Sequence, residues 1–593
     1  VPVRDENGDY SIFPDMAQYP NPISLLEVTD KTTSDRVLVN GYLQAEPIKG
    51  LTLKANLGVD RRYDKNKSYV PNTTVAGAAK GGIANILQRD NIDYLMELTA
   101  NYTKDFGNHS LTALVGYSYQ QFNQESVYAG NEDFSTDGFL YNNLQAGAGT
   151  KPYVNSSARK SALGSYFARA NYSYLGKYLL TVTVRADGES NFHPDYRWGY
   201  FPSVSAGWRF SDEEFMKPLS SILSNGKLRA SYGQTGNSNI GNYMTDSYGV
   251  VSGWVFGNDG YMGTAITKRG NKKLTWETTS EFNIGLDLGF FDNRISLSME
   301  YYNRIISDLL VSNKSLPAYN EINTIAANIG KTQGRGFELT LSTVNIMNKD
   351  WTWSTDFTFY TFKDNWYERD PNWKPAAYES KKDPIRSYYS YVSDGLLQVG
   401  EKAPAWQPTL VPGQIKLKNL YDTGTSPNVL DQYDKVNLGS QDPKCTLGLN
   451  NTLRYKNLDF NIYFYGEIGR LRGASYYDAW IVGLGNSLTN VSQQSLHSYT
   501  NANQNTTVPN LIESAYDFGD YYHKKINYLR CRNITLGYTI PVSKSIANSV
   551  RISANVSNPF VFTNWNGVDP ETDTGNFSYP NVTSFSFGID ISF

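Results

Sequence analysis

The sequence contains no run of about 18 consecutive apolar residues, which is the length that a membrane-spanning helix requires. Charge is also scarce: 19 % of the residues are Asp, Glu, Lys or Arg, and the formal net charge is −3. A nearly balanced chain lacks the positive excess with which proteins bind phosphate backbones, so we expect no nucleic acid as partner. The missing apolar run excludes a helical membrane protein.

Cysteine and histidine are equally sparse. The two cysteines, Cys445 and Cys531, both lie in strand-like sequence. A disulfide needs close and correctly oriented Cβ atoms, and we expect two unpaired structural cysteines instead. No Cys-x-x-Cys motif occurs, and the four histidines are scattered, so no zinc site is expected. The histidines are His109, His193, His497 and His523.

Catalytic motifs are missing as well. The chain has no Gly-x-Ser-x-Gly, no His-Glu-x-x-His and no P-loop. Glu213 and Glu214 sit in a turn segment, SDEEFM, where solvated charge is the simplest explanation. We therefore expect no enzyme. The enzyme alternative requires a nucleophile and a base brought together from distant strands.

The stretch from Trp276 to Ser307 shows the pattern that is present. Apolar and polar residues alternate through its two arms, WETTSEFNIGLDLGF and RISLSMEYYNRIIS. Successive side chains of a strand point to opposite faces, so each arm predicts a strand with one apolar face. The link Phe291-Asp292-Asn293-Arg294 is a tight-turn signal. Each arm is longer than a usual globular strand and fits a tilted bilayer crossing.

The same alternation recurs along all 593 residues, together with 49 Gly, 45 Tyr and 14 % aromatic residues. This combination is typical of membrane β-barrels with aromatic girdles and glycine turns. We predict an all-β chain of about seventeen antiparallel strands. They are 36–46, 50–60, 92–104, 110–121, 161–174, 178–187, 202–210, 226–235, 276–289, 294–307, 336–345, 351–361, 444–455, 458–467, 526–539, 551–558 and 582–593.

Short and long connections alternate between these strands. Bacterial outer-membrane barrels have short periplasmic turns and long external loops. Assigning the short turns to the periplasm places the C-terminal Phe593 there as well. It also makes Trp351 and Trp353 part of the periplasmic aromatic girdle. A soluble sandwich has no reason to keep its long loops at one end.

The last ten residues, SFSFGIDISF, alternate perfectly and end on an aromatic residue. They resemble the C-terminal signal that outer-membrane barrels present to their assembly machinery. Seventeen strands is an odd number, whereas bacterial single-chain barrels are even, and an open wall would expose bare strand edges to lipid. We therefore expect further strands outside this chain. We also expect an export signal upstream, because VPVRDENGDYSIF is polar loop sequence.

Several blocks, in order along the chain, resemble SusC/RagA-type TonB-dependent transporters. They are RADGESNFHPDYRWGYFPSVSAGWRFSDEEFM (185–216), LRASYGQTGN (228–237), NIGKTQGRGFELTL (328–341), SDGLLQVG (393–400), PGQIKLKNL (412–420), LRCRNITLGYTIP (529–541) and SNPFVFTNWNGVDPE (557–571), with the 276–304 hairpin between the second and the third. The resemblance implies that residues 1–593 are the C-terminal part of a 22-stranded transmembrane barrel in the outer membrane of a Gram-negative bacterium. The N-terminal plug and the first strands would lie outside this chain.

The resemblance also implies an active importer. Its partners would be a SusD-like surface lipoprotein, TonB acting through the plug segment, outer-membrane lipid, and a glycan or peptide cargo. Family members often carry a calcium-like loop after the Pro-Gly-x-Ile-Lys block. Here Asp422, Asp431 and Asp434 remain, but their spacing and the glycines do not match such a loop, so we expect no cofactor.

Exposed-looking aromatic residues in the long loops are the candidate cargo-binding or lid-contact residues. Aromatic faces stack on sugar rings, and a neighbouring Asp can hold hydroxyl groups. The alternative is that these residues pack the loops, or form girdles and a partner interface. The candidates are Trp254, Tyr261, Trp366, Trp373, Trp406, Tyr476, Tyr477, Asp478, Trp480 and Trp565.

Two other functional classes remain open at this stage. One is an outer-membrane barrel that serves in adhesion or secretion, which would need neither a plug nor a lipoprotein lid. The other is a secreted array of β-sandwiches, which would be soluble without detergent. The long loops at one end and the terminal Phe593 argue against the second class.

Overall fold

The computed structural model describes most of the chain. The described residues are 3–6, 8–11, 20–149, 152–256, 259–320, 322–421, 428–473, 493–510, 518–542, 548–565, 567, 569–572 and 579–592. Within them the chain is almost entirely β-structure. No helix in these ranges is long and apolar enough to cross a membrane.

Twenty-five strands are present in the described residues. They are β1 (Thr29–Ile48), β2 (Leu51–Val70), β3 (Ile83–Phe106), β4 (His109–Glu132), β5 (Tyr153–Tyr174), β6 (Tyr178–Glu189), β7 (Trp198–Trp208), β8 (Leu223–Asn237), β9 (Tyr248–Phe256), β10 (Asp259–Lys268), β11 (Glu277–Phe290), β12 (Ile295–Ser307), β13 (Leu310–Ser315), β14 (Thr324–Asn328), β15 (Lys331–Met347), β16 (Trp351–Glu368), β17 (Ser387–Ser390), β18 (Ser393–Leu396), β19 (Ile415–Leu417), β20 (Val436–Ser440), β21 (Cys445–Tyr455), β22 (Leu458–Arg472), β23 (Lys524–Ile540), β24 (Ser549–Thr563) and β25 (Ser584–Ser592).

Seventeen of these strands form one antiparallel sheet, called here the wall. Its strands pair in the order in which they occur along the chain, β1 to β8, then β11, β12, β15, β16 and β21 to β25. Every one of the seventeen predicted strands is therefore confirmed. Within the described part of the chain, β1 and β25 each have a ladder partner on one side.

The connections of the wall alternate between a short-turn end and a long-loop end. Two residues join β3 to β4, whereas 76 residues separate β16 from β21 (369–444). At the predicted tight turn between β11 and β12, Phe291, Asp292 and Asn293 have φ of +52°, +57° and +61°. Asp and Asn tolerate this left-handed region better than other side chains, which explains the turn signal.

The wall strands are longer than predicted at their long-loop ends. The predicted strand 92–104 becomes β3, Ile83–Phe106, and 110–121 becomes β4, His109–Glu132. The two strands pair without interruption from Ile83 with Glu132 to Phe106 with His109. The added residues place polar side chains on both faces, as where Arg61 binds Asp90, so the strict apolar alternation that marks a strand ends before the ladder does.

Small two-stranded sheets occupy the long connections that the sequence predicts as loops. β9 pairs with β10, β13 with β14, β17 with β20, and β18 with β19. The helical elements of the described residues are single turns, α1 (Val75–Ala78) and short 3₁₀ segments. The 3₁₀ segments are Ser24–Glu27, Asp137–Phe139, Leu144–Ala146, Phe210–Asp212, Glu214–Leu219, Gln432–Asp434 and Gln493–His497.

Buried apolar clusters fasten the long connections to the strand ends. In the largest, Trp276 packs against Phe192 and Phe201, and its indole N–H donates to the carbonyl of Arg197 at 2.7 Å. A second cluster joins β18 and β19 to Tyr499 and Tyr522. Both cysteines are free, which confirms the expectation that Cys445 and Cys531 are unpaired.

Candidate functional site

Each wall strand presents one polar and one apolar face. On the apolar face, Phe282 and Ile284 of β11 are 43 % and 39 % exposed. On the polar face lie Arg229 of β8, Asp287 of β11 and Glu300 of β12. A sheet with exposed apolar side chains on one face and ion pairs on the other suits lipid on one side and water on the other. Further exposed residues of the apolar face are Leu228, Tyr301, Leu449, Leu536, Ile552 and Phe587.

Ion pairs brace the polar face across strand β11. Arg229 binds Asp287 through Nε at 2.7 Å and Glu300 through Nη2 at 2.7 Å. Gly285 lies between Arg229 and Glu300 in the register of the three strands. A Cβ atom on Gly285 would lie 2.8 Å from Cζ of Arg229. The absence of a side chain at Gly285 is therefore what lets the guanidinium reach the second strand.

The same arrangement recurs further along the sheet. Arg304 of β12 and Asp364 of β16 flank Gly334 of β15 and approach to 3.4 Å. In both cases a long cation crosses a glycine of the middle strand to reach a carboxylate two strands away. Gly285 and Gly334 thus leave room for ion pairs that cross their strands.

A row of polar side chains crosses the first five strands near the long-loop end. Arg36, Arg62, Asn91, Gln124 and Arg159 occupy matched register positions on β1 to β5, and directly paired residues share one face. We call these five residues the arginine row. At its centre Gln124 Nε2 donates to Asn91 Oδ1 at 2.9 Å.

A cavity of about 490 Å³ lies over the arginine row. Its floor also includes the next register row, with Asp60, Asp93 and Phe122. Arg36 binds Asp60 with two parallel hydrogen bonds of 2.9 and 2.6 Å. The cavity is thus polar, open to one side of the wall, and lined by three cations and two anions.

A second cavity, of about 500 Å³, continues the first along the same face. The two share Ser161 and Asn242. Asn242 belongs to the connection after β8 and donates to the carbonyl of Lys160 at 3.2 Å, where β5 extends beyond β6. Trp276 and the side-chain amides of Asn191, Asn237 and Asn239 line this second cavity.

Two of the predicted candidates hold a cation. The guanidinium of Arg369 lies 5.3 Å from the ring centre of Trp366 and 3.9 Å from that of Trp373. Asp370 accepts from Lys314 at 2.9 Å, and this bond holds the pKa of the Asp370 carboxyl below its usual range. The two tryptophan rings therefore hold the Arg369 side chain directly after the end of β16.

Two further candidates are engaged within the loops. The indole of Trp406 donates to the carbonyl of Leu417 at 2.7 Å. Trp565 is only 6 % exposed and lies under Arg472, whose guanidinium is 5.7 Å from the ring centre of Trp565.

Two candidates lie on the small sheet of β9 and β10. Tyr261, on β10, keeps 54 % of its surface exposed. The backbone of Trp254 on β9 pairs with that of Tyr261.

The last long connection is anchored on the wall by buried charges. Arg530 of β23 binds Asp569 at 2.8 Å and Glu571 at 2.6 Å, with its side chain 3 % exposed. Arg532 adds a contact of 2.6 Å to Glu571. Asp569 also accepts from the backbone N–H groups of Glu571 and Asn581. This cluster gives a role to Asp569 and Glu571, the two acidic residues at the end of the last sequence block, SNPFVFTNWNGVDPE.

The remaining candidates divide into two groups. Tyr476, Tyr477, Asp478 and Trp480 lie outside the described residues, as do Asp422 and Phe593. Asp434 is fully buried, and its two carboxylate oxygens accept from the backbone N–H groups of Leu420, Tyr421 and Asp431. Among the described residues no group of three or more His, Cys, Asp or Glu could hold a metal ion.

Most of the arginine row falls outside the predicted strands. Arg62, Asn91, Gln124 and Arg159 lie one to three residues beyond the predicted ranges 50–60, 92–104, 110–121 and 161–174. Extending the period-two phase of each strand past its last apolar residue would have placed all four on the polar face.

The comparisons with known proteins agree on one family. A family model described as TonB dependent receptor-like, beta-barrel matches residues 4–558. TonB-dependent receptor P3 of Formosa agariphila is 32 % identical over 100 % of this chain and 61 % of its own length. TonB-dependent receptor SusC of Bacteroides thetaiotaomicron is 28 % identical over 99 % of this chain and 59 % of its own. The chain spans about three fifths of the length of these curated relatives.

Solved structures give the same result. The RagAB peptide transporter matches with a TM-score of 0.84 and 25 % identity, over 99 % of this chain and 66 % of that chain. The RagAB peptide importer in its "closed-closed" state matches with a TM-score of 0.84 and 26 % identity. The wall and its long connections therefore share the architecture of these barrels.

Proposed function

Since the chain belongs to the TonB dependent receptor-like β-barrel family, we propose that it forms the C-terminal barrel portion of an outer-membrane nutrient importer. The imported molecules would be oligosaccharides or peptides. The N-terminal plug and the first barrel strands would be contributed by residues beyond this chain. No catalytic role is proposed.

The observation that carries the proposal is the separation of the two faces of the wall. The apolar face exposes residues such as Phe282 and Ile284, while the polar face carries the Arg229 ion pairs and two joined cavities. In a barrel the polar face would line the lumen, and the cavities would meet cargo entering from the long-loop end. An adhesin would not need large polar cavities on its inner face.

Partners follow from the same arrangement. The long connections gather at one end of the wall, where a SusD-like lipoprotein would cover the mouth and deliver cargo. TonB would act from the opposite, short-turn end through the plug segment. With this orientation the C-terminus lies in the periplasm. The similarity to SusC and to the RagAB peptide importer supports this class of assembly.

The test is to purify the complete transporter in detergent from its native membrane and to analyse proteins and small molecules by mass spectrometry. We expect upstream plug sequence, a lipoprotein, and a bound oligosaccharide or peptide. A chain that is monodisperse without detergent would overturn the membrane assignment. A detergent-requiring barrel with no lipoprotein and no cargo would instead support the alternative role in adhesion or secretion.

A further inference from the structure

We propose that the cavity over the arginine row binds a carboxylate group carried by the transported molecule. This inference rests on the proposed function and names the chemical class of the cargo. Three properties of the cavity carry it: the spacing of its cations, their freedom to donate, and the position of its single unneutralised acid.

The register sets the spacing of the cations. Adjacent strands lie about 4.8 Å apart, so the Cα atoms of Arg62 and Arg159, three strands apart, are separated by about 14 Å. The paired amides of Asn91 and Gln124 lie between them. Two long cationic side chains at the ends of a row of amides surround a space in which an anion meets N–H donors from several sides.

Arg36, Arg62 and Arg159 differ in how many of their guanidinium N–H groups are already used in hydrogen bonds. Asp60 occupies Arg36 with two parallel bonds. Arg62 gives only its Nε to Asp64, at 3.0 Å, which leaves its Nη groups without a hydrogen bond in the described part of the chain. Arg159 has no hydrogen bond or ion pair with any described residue. The unused donors of the arginine row therefore lie at Arg62 and Arg159.

Asp93 is the acid of the cavity that carries no ion pair among the described residues. It lies in the neighbouring register row and two strands from Arg159, at a Cα separation of about 12 Å. Asp93 is not paired with Arg159 in the register, so an anion bound at the Arg159 guanidinium lies closer to that cation than to the Asp93 carboxylate. The net charge of the side chains at the Arg159 end of the cavity is therefore positive.

Arg61 provides a natural control beside this site. It precedes Arg62 but points to the opposite face of β2, where it binds Asp90 through Nε at 3.1 Å and Nη2 at 2.7 Å. Replacing Arg61 therefore removes one arginine charge from the wall, as replacing Arg159 does, without touching the cavity.

The experiment measures binding to the complete transporter in detergent by calorimetry, with two matched pairs of probes. One pair is an oligogalacturonate and a neutral oligoglucoside of equal length, and the other is an Asp-containing peptide and its Asn counterpart. We expect the acidic member of at least one pair to bind about tenfold more tightly, as a charge-assisted contact implies. The pair that shows this preference identifies whether a sugar or a peptide carries the anion.

Substitutions identify which residues produce the tighter binding of the acidic probe. We expect Arg159→Gln to reduce it about tenfold, Arg159→Lys to retain most of it, Asp93→Asn to increase it slightly, and Arg61→Gln to leave it unchanged. Equal binding of acidic and neutral probes, or an unchanged preference in Arg159→Gln, would overturn the inference. Neither result affects the proposed function, whose failure would show as the absence of plug, lipoprotein and cargo in the native complex.

Discussion

Arg229 on β8 reaches over the full width of β11 to bind Glu300 on β12 at 2.7 Å, with Gly285 beneath the guanidinium. The contact links three strands whose own backbones pair only with their neighbours. Side chains thus add a second layer of bonding on the polar face, above the main-chain ladder.

The first prediction concerns Gly285. A Cβ atom there would approach Arg229 Cζ to 2.8 Å, so Gly285→Ala should displace the guanidinium from Glu300 and lower stability by about 1–3 kcal/mol. Thermal unfolding of the barrel in detergent measures the effect. Gly164→Ala is the matched control, because nothing lies within 4 Å of a Cβ atom at Gly164. Equal melting temperatures for the two variants would show that the crossing contact contributes nothing.

The second prediction concerns the connection between β7 and β8, whose acidic pair the sequence predicts as solvated charge. Glu213 instead accepts from Tyr178 at 2.7 Å, from the indole of Trp208 at 3.1 Å and from Lys177 at 3.2 Å. Glu213→Gln should therefore speed amide exchange in residues 210–219. Glu214→Gln should not, since Glu214 is 79 % exposed and its ion pair, with Lys217, lies within the same segment. Exchange measured by mass spectrometry at neutral pH separates the two.

The hydrogen bonds of Glu213 also make the amide-exchange protection of residues 210–219 depend on pH. The hydrogen bond from Tyr178, followed by that from Trp208, holds the pKa of Glu213 below its ordinary value. A lowered folded-state pKa stabilises the connection above the unfolded-state pKa of about 4.3, and the contribution is lost as the pH falls through the lower value. Protection of 210–219, corrected for intrinsic exchange, should decrease below about pH 4 in the wild type but stay constant in Glu213→Gln.

The third prediction concerns the anchor of the last connection. Asp569→Asn leaves Arg530, 3 % exposed, with a weaker partner, and should cost about 3–5 kcal/mol. Urea unfolding in detergent measures it. Asp590→Asn serves for comparison, because Asp590 is 75 % exposed and 3.8 Å from Arg551, and we expect almost no change. A small effect of Asp569→Asn would mean that Glu571 alone holds Arg530.

The fourth prediction tests which face meets lipid. Phe587 of β25 is 84 % exposed on the apolar face, while Ser586 occupies the polar phase opposite Asn555. Phe587→Arg should cost about 2–4 kcal/mol and reduce the folded yield in lipid vesicles, whereas Ser586→Arg should have little effect. Similar yields for the two variants would contradict the assignment of the faces.

The strands of the wall could be predicted because a strand with lipid on one face and water on the other must alternate apolar and polar side chains. Thus 276–289 and 294–307 match β11, Glu277–Phe290, and β12, Ile295–Ser307, within one residue at each end. Where both faces meet water the alternation stops, and for that reason the outer parts of β3 and β4 were missed. The hairpin of β13 and β14 could not be predicted for a related reason. Strands of six and five residues contain too few alternating apolar and polar side chains to be recognised.

The candidate residues were harder to predict than the strands. An aromatic residue in a loop carries no sequence signal for its partner. Trp406 contacts the carbonyl of Leu417 on β19, and Trp565 contacts Arg472 at the end of β22. The arginine row, by contrast, becomes visible only when the pairing register aligns residues that are 26 to 35 positions apart in sequence. Cargo-binding roles for Tyr261 and the other aromatic candidates stay predictions.

The uninterrupted ladder between β3 and β4 has a mechanical consequence. At about 3.4 Å per residue, these strands extend roughly 80 Å, about twice the length of β6. A hydrogen-bonded plate of this length resists bending, because its two strands separate only if many bonds break together. The rim of the wall is therefore tall and stiff at β3 and β4 and low at β6 and β7. We therefore expect the rim to bend more easily at β6 and β7 than at β3 and β4.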